Sequence, residues 1–449
     1  MGKNEEIRQR DLAVLWHPTT QMKDHEWLQL LPVKSGQGVW LEDMQGKRYI
    51  DAISSWWVNL FGHANPHISA AVSEQAGLLE HVILAGVTHE PAVRLAEKLV
   101  EITPLGLERV FFADSGSSAV EISLKMSFHY WRNIGDSGRT RFVTLSNSYH
   151  GDTLGALSVG DAGLFKAAYE PLLMEPLVAP SPDCFALPRE QWDAHAVGKL
   201  AEMRKILAAH EGEISAVIIE PLVQCAGGMR MYPPSYLTGL RALCDEYRVH
   251  LIADEIAVGF GRTGSMFACE QGGIAPDFMC LSKGLTGGYL PMSAVMTSHT
   301  VYEAFYDEYT TLRGFLHSHS YTGNALACAA ALATMDLFEQ RDVLADNHDL
   351  AARMLDAVSP LRDHDHVGDI RQTGMILAVE MVAQRDPMIQ YDWKERRGIQ
   401  VYQHAMSNGV LLRPIGNVVY FMPPYVINPD EIGQMAQVAM AGIDLATTD

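Results

Sequence analysis

Lys283 follows the apolar run Phe278-Met279-Cys280-Leu281, separated from it by Ser282, and precedes Gly284. An amine at the end of a buried strand loses hydration, which disfavours the ammonium form and leaves a lone pair for Schiff-base chemistry. A lysine snorkelling to the surface would have the same neighbours. A second apolar run, Leu251-Ile252-Ala253, ends in Asp254 and Glu255. A carboxylate closing a buried strand needs a partner to offset its desolvation; otherwise it is a helix cap or a surface acid. A third run, Arg109–Ala113, leads into Asp114-Ser115-Gly116-Ser117-Ser118-Ala119. Small residues opening a helix offer N–H groups and a favourable dipole to a phosphate, and the same residues also make simple N-caps. After Arg141–Leu145 comes Asn147-Ser148-Tyr149-His150-Gly151-Asp152, which sets an aromatic at a strand mouth or forms an ordinary turn. Ala216–Ile219 leads to Glu220-Pro221.

Ligands of open α/β sheets sit at the carboxyl ends of strands. An amine, an acid, an aromatic and a phosphate-ready helix start at such ends are the parts pyridoxal phosphate requires. Other motifs point elsewhere. Gly259-Phe260-Gly261-Arg262-Thr263-Gly264 matches G-x-G-x-x-G, but the stretch Ser265–Gly273 leads on to Pro276 and the acid Asp254 precedes the glycines. A dinucleotide site needs a helix opening on the last glycine and an acid about 20 residues later. His317-Ser318-His319 and His364-Asp365-His366 lack further ligands at metal spacing and read as loop histidines.

The elements that position these residues form an α/β pattern. Candidate strands are Arg109–Ala113, Arg141–Leu145, Ala216–Glu220, His250–Asp254, Phe278–Leu281 and Ser293–Met296, with helices at Ser117–Trp131, Ala196–His210 and Pro234–Tyr247. Apolar strands separated by helices imply a mainly parallel sheet covered on both faces. The chain continues through a helix-rich run, Ala325–Leu361, into strands near Asp369–Arg371, Met375–Met381 and Val418–Met422, a smaller α+β domain. An N-terminal hairpin, Gly38–Asp43 and Arg48–Asp51 around Gln45-Gly46, joins it. The expected limits are 1–75 for the N-terminal part of the small domain, 76–335 for the large domain and 336–449 for the C-terminal part.

The 449 residues carry 34 Lys+Arg against 54 Asp+Glu, a net charge of −20, which excludes nucleic acid or an anionic membrane as partners. Hydrophobic residues at 48% and charged residues at 20% describe a folded globular chain. Met1–Asp11 has no apolar signal region, no run of eighteen apolar residues occurs, and the six scattered cysteines read as buried thiols of a cytoplasmic protein.

Ala253-Asp254-Glu255-Ile256, Gly259–Gly264 and Leu281-Ser282-Lys283-Gly284-Leu285 together resemble the class III (ω-) aminotransferases over nearly the whole chain. More specific signs are Trp16-His17-Pro18, Ser54-Ser55-Trp56-Trp57, Gly86-Val87-Thr88-His89, Ser148–Thr153, Gln224–Tyr232 and Arg413-Pro414 with Tyr420–Tyr425. They are similar to the biotin-pathway branch of that family. The resemblance implies the type I fold of pyridoxal-phosphate-dependent transferases, with pyridoxal 5′-phosphate as cofactor. Lys283 would form the Schiff base and shuttle the proton, and Asp254 would pair with the ring nitrogen. Tyr149 would stack on the ring and border the substrate. Gly116 and Ser117 would hold the phosphate. The loop Ser318-His319-Ser320 would bring Ser318 to the substrate, His319 to the cofactor and Ser320 to the partner subunit's phosphate, so a homodimer is expected. Trp56, Trp57 and Arg413 would bind the substrate, although without the resemblance the Trp pair reads as core packing. The implied reaction takes a small keto acid, 7-keto-8-aminopelargonate (8-amino-7-oxononanoate), and an amino donor to 7,8-diaminopelargonate. Two departures bear on the donor. The run His17-Pro18-Thr19 has Thr19 where a tyrosine is usual, and Ser318-His319-Ser320 stands where Gly-Pro-Thr is common. S-adenosylmethionine is the default donor, lysine or another amine the variant, and an ω-amino acid or diamine:pyruvate aminotransferase the alternative on the same scaffold.

Overall fold

The computed structural model describes residues 2–448. The chain divides into two units: His67–Asp349 with Arg371–Leu377, and Met1–Pro66 with Leu350–Ile370 and Ala378–Asp449. A limit at 335 would cut the helix Ala325–Gln340, which runs unbroken, and hydrophobic periodicity within one helix carries no mark of a domain edge.

The larger unit holds a seven-stranded sheet. Its strands are β1 (Arg109–Ala113), β2 (Arg141–Leu145), β3 (Leu177–Ala179), β4 (Ile214–Ile219), β5 (His250–Asp254), β6 (Phe278–Leu281) and β7 (Ser293–Thr297). Their spatial order is β1-β7-β6-β5-β4-β2-β3. The β6–β5, β5–β4, β4–β2 and β2–β3 pairs are parallel, and β7 is antiparallel to both neighbours, β6 and β1. β1 therefore runs the same way as β6, and the carboxyl ends of six strands share one edge. Every residue of β4 to β7 is buried. A strand covered on both faces needs apolar residues at every position, so these read as continuous runs.

Helix α1 (Gly116–Asn133) starts at the N-cap Ser115, whose Oγ accepts from Ser118 N at 3.3 Å. Its buried stripe, including Ile122 and Met126, packs with Ile252, Phe278 and Val295 of the sheet in one core. Helices α2 (Trp192–Ala209) and α3 (Pro234–Tyr247) pack on each other.

In the smaller unit, Trp40–Asp43 and Arg48–Asp51 form the antiparallel hairpin. Val33–Gln37 extends it on one side, and Val410–Leu411 pairs parallel with Arg48–Asp51 on the other, tying the two ends of the sequence into one sheet. The last helix, Pro429–Thr447, opens with a capping box between Asn428 and Glu431. Among the described residues, no helix is long and apolar enough to cross a membrane.

Candidate active site

The shared carboxyl edge brings the sequence-derived residues of the larger unit together. Asp254 ends β5 and is paired in register with Cys280 of β6, so Lys283 follows three residues beyond Asp254's neighbour. Asp254 Oδ2 lies 2.7 Å from His150 Nδ1, and Oδ1 accepts from Ile256 N at 3.1 Å. Both side chains are buried. His150 Nε2 is buried without a hydrogen-bond partner. Lys283 has a left-handed φ of 39° and starts the turn Lys283–Thr286. Burial pushes its ammonium pKa below the usual lysine range, against the charges of Asp254, Cys225 and Glu220, which raise it.

Glu220 follows β4. Its Oε2 accepts from Tyr149 N at 3.1 Å and its Oε1 from Cys225 N at 3.0 Å. Burial, helped by the charge of Asp254, pushes its carboxyl up to about 7, while His150 and the two N–H donors pull it down. The Tyr149 hydroxyl donates to Asp152 Oδ1 at 3.0 Å, and burial raises its pKa. Gly151 has a φ of 126°, and a Cβ there would lie 2.7 Å from Ser117 Cβ. Ser117 Oγ accepts from Asp152 N at 3.3 Å, so the Tyr149 loop closes on the first turn of α1 at Gly116 and Ser117. His319 Nδ1 lies 3.0 Å from Asp114 Oδ2, beside the same helix start. His319 Nε2 meets His317 Nε2 at 3.2 Å, and Lys125 Nζ donates to His317 Nδ1 at 2.8 Å. Ser318 and Ser320 have exposed side chains; the Ser320 carbonyl accepts from His81 Nε2 at 2.7 Å.

Trp56, Trp57 and Arg413 lie in the smaller unit. Residues 54–57 form a left-handed turn, with φ of 51° at Ser54, 47° at Ser55, 73° at Trp56 and 73° at Trp57. Left-handed backbone costs an L-residue about 1–2 kcal/mol. The turn sends the two indoles to different places. Trp57 is buried, donates from Nε1 to the Tyr420 hydroxyl at 3.1 Å and meets that ring edge-on. Trp56 is 40% exposed, with Arg413 Cζ 5.0 Å from its ring centre. Trp56, Arg413, His17, Thr19 and Tyr402 line a cleft of about 430 Å³, and Arg413 Nη2 donates to the Thr19 carbonyl at 3.3 Å. Trp57 is not among the residues lining this cleft: the core-packing reading describes where it lies.

Sequence reasoning missed His150. The signal is that a buried Asp254 needs a donor and that His150 stands at the end of another strand of the same sheet, next to the more conspicuous Tyr149. Glu255 is fully buried and not a surface acid. It accepts from Ala268 N and Cys269 N at 3.0 and 2.8 Å, capping the short helix Ala268–Gln271. The glycine motif opens no helix: Gly264 N turns back to the Gly261 carbonyl. His364 pairs with Asp444, and His366 with the Val382 carbonyl and Tyr391.

The family model described as Aminotransferase class-III matches residues 21–441. A protein of Geobacter sulfurreducens named adenosylmethionine-8-amino-7-oxononanoate aminotransferase is 45% identical over 95% of this chain and 94% of its own. A Helicobacter pylori protein of the same name is 45% identical over 99% and 98%. The crystal structure of the Methanocaldococcus jannaschii protein of that name superposes with a TM-score of 0.94 at 37% identity, covering 99% of this chain and all of that one. An omega transaminase of Pseudomonas jessenii, solved in complex with PMP, gives 0.93 at 30% identity over 98% of both chains. The fold is the type I fold of pyridoxal-phosphate-dependent transferases. The chain belongs to the class III aminotransferases.

Proposed function

We propose that this protein transfers an amino group to 8-amino-7-oxononanoate, producing 7,8-diaminononanoate (7,8-diaminopelargonate) for biotin synthesis, with pyridoxal 5′-phosphate as cofactor and S-adenosylmethionine as donor. The observation that carries the chemistry is the placement of Asp254 at the end of one strand and Lys283 just past the end of its parallel neighbour, one a buried carboxylate held by His150 and the other a desolvated amine. Near full-length identity of 45% to proteins bearing that name supports the substrate.

The residues fit the cofactor. His150 Nε2 is a buried polar atom with capacity to spare, and at Gly151 a side chain would collide with the phosphate-ready helix start. Asp254 would hold the ring nitrogen in its protonated form, with His150 fixing the carboxylate's orientation. N–H groups at Gly116 and Ser117 would hold the phosphate, where the helix dipole favours an anion. His319 borders that helix start and Tyr149 covers the ring. When bound, the cofactor supplies an electron sink for the pair released at the carbon bearing the transferred nitrogen. Lys283 Nζ, its ammonium form disfavoured by burial, would take the proton from that carbon and carry it in the transfer. Arg413 binds the substrate carboxylate with its planar fork, and Trp56 lies along the apolar chain. The enzyme acts as a cytoplasmic homodimer in which Ser318 faces the substrate and Ser320 serves the phosphate of the partner subunit's site. Six free, buried cysteines agree with a reducing compartment.

The test is purified enzyme with 8-amino-7-oxononanoate and a panel of donors, reading the diamine by mass. Product with S-adenosylmethionine is expected. No product with any donor, combined with rapid turnover of β-alanine, putrescine or phenylethylamine with pyruvate, would refute the assignment.

A further inference from the structure

The left-handed turn that carries Trp56 has four strained residues and no glycine, so something must hold it. Ser54 is tied by its Oγ, which donates to the Met422 carbonyl at 2.7 Å, and Ser55 is held by Asp51, at the end of the hairpin strand, with a side chain fully enclosed. Its Oδ1 accepts from Ser55 N at 2.9 Å, and its Oδ2 from Ser55 Oγ at 2.7 Å. Oδ2 also meets His63 Nε2 at 2.9 Å. Behind it, His63 Nδ1 lies 3.2 Å from Asn59 Nδ2, while Asn59 Oδ1 accepts from Gly62 N at 2.7 Å. An amide nitrogen only donates, so Nδ1 accepts and Nε2 carries the proton given to Asp51. The backbone of His63 is itself fixed, because His63 N donates to the Gly38 carbonyl at 2.7 Å and Gly38 N to that of His63 at 3.1 Å. Asp51 is therefore oriented from one side by His63 and grips both polar groups of Ser55 with the other.

We infer that Asp51 is a positioning residue for substrate recognition: its carboxylate holds residues 54–57 in the left-handed turn that sets the Trp56 indole beside Arg413 in the cleft. The inference rests on the proposed function for the identity of the substrate. Without the carboxylate, Ser55 N and Oγ lose their acceptors, Ser55 and Trp56 relax toward right-handed backbone while Ser54 stays on the Met422 carbonyl, and Trp56 leaves the Arg413 guanidinium. Trp57 keeps its own anchor on Tyr420. A glycine at position 55 adopts the same φ without a Cβ penalty, and so replaces part of what Asp51 supplies.

The full-length enzyme tests this by steady-state kinetics with 8-amino-7-oxononanoate varied at saturating donor. Asp51→Ala is expected to raise KM for that substrate about tenfold with kcat within about threefold, the size of effect that one strained residue can impose. The rise should vanish in a Trp56→Ala background, because Asp51 acts through that indole, and Ser55→Gly should reverse at least half of it. A KM within twofold of the parent, or an equal rise with and without Trp56, overturns the inference. Should Asp51→Ala fail to fold, Asp51→Asn serves. It keeps an oxygen for Ser55 N but sets an amide against the His63 N–H, so a severalfold KM rise that depends on Trp56 is expected, and no rise overturns the inference. Emission of Trp56, taken as the difference between the parent and its Trp56→Phe variant, gives a reading without turnover. It should shift to the red in the Asp51 variant, and unchanged emission overturns the inference. That reading stands even if the parent enzyme converts no 8-amino-7-oxononanoate, an outcome that would sink the functional assignment alone.

Discussion

Adding one methyl group at Gly151 should damage the phosphate end of the site far more than the same change elsewhere. A Cβ at Gly151 would collide with Ser117 Oγ and lie 2.7 Å from Ser117 Cβ and 3.0 Å from its Cα. The hydroxyl can rotate away, but the Cα belongs to the first turn of α1 and cannot. Alanine must also adopt a φ of 126°, which costs about 1–2 kcal/mol, and overpacking adds about 1–3 kcal/mol. The sum, about 2–5 kcal/mol, is expressed as a displaced Tyr149 loop or a loosened helix start. Either moves Ser117, so pyridoxal phosphate affinity should fall by about 30-fold or more. Gly198 is the control. It lies exposed within α2, and a Cβ there meets nothing within 4 Å. Gly198→Ala should stabilise by about 0.5–1 kcal/mol, raising Tm by about 1 °C, with cofactor affinity unchanged. Equilibrium dialysis of the cofactor and thermal melts of the apoprotein measure both. If Gly151→Ala binds cofactor within threefold of the parent and melts within a degree of it, the close packing of this loop on α1 is not what shapes the site.

Three further outcomes are expected. Lys283→Ala should retain noncovalent pyridoxal phosphate in dialysis yet lose transamination by roughly 10³-fold or more, since nucleophile and proton carrier go together; near-normal turnover would show that another amine acts. Asp254→Asn keeps an oxygen for Ile256 N, and His150, whose Nε2 has no other partner, can take the tautomer that accepts from the new amide, so the variant should melt near the parent; its turnover should drop by about 10²-fold or more, because a neutral amide does not hold the ring nitrogen protonated. His250 is buried and bonded to Ser127 Oγ at 2.9 Å, and burial lowers its pKa to about 4. A depressed histidine pKa stabilises the fold above the unfolded value of about 6.5, and that contribution is lost as pH falls toward 4. Between pH 7 and 4.5 the parent should thus lose about 2–3 kcal/mol more urea-unfolding free energy than His250→Gln, and parallel losses would disprove the burial argument.

The reacting edge of the sheet was legible because its strands are apolar runs closed by chemically distinct residues. The limits of β1, β2, β5 and β6 coincide with those runs. β3 was not legible: Leu177–Ala179 is a short edge strand, partly exposed, with no pattern to distinguish it from a loop. The pairing of His150 with Asp254 spans 104 positions and leaves no local trace; only the requirement that a buried carboxylate find a donor points to it. Trp56 and Trp57 are adjacent and identical in type, so nothing local separates the one in the cleft from the one in the core. The handedness of their turn does, and it depends on Asp51 and His63, whose role residue types alone do not announce. Glu255 misled in a smaller way, since an acid after an apolar strand can stay buried when two backbone N–H groups receive it.

The single reversed strand of the sheet closes the segment that carries Lys283. After β6 the chain passes through residues 282–292, which include the turn Lys283–Thr286, and returns beside β6 as β7, with Leu281 opposite Ala294 and Cys280 opposite Val295. Antiparallel neighbours need no crossover helix, so the peptide bearing the amine is clamped at both ends to adjacent strands. Asp254 sits on the strand at the other flank of β6. The spacing of amine and acid is thereby built into a hydrogen-bond ladder that lies wholly within the larger unit. Residues outside that ladder can change without altering the spacing of Lys283 and Asp254.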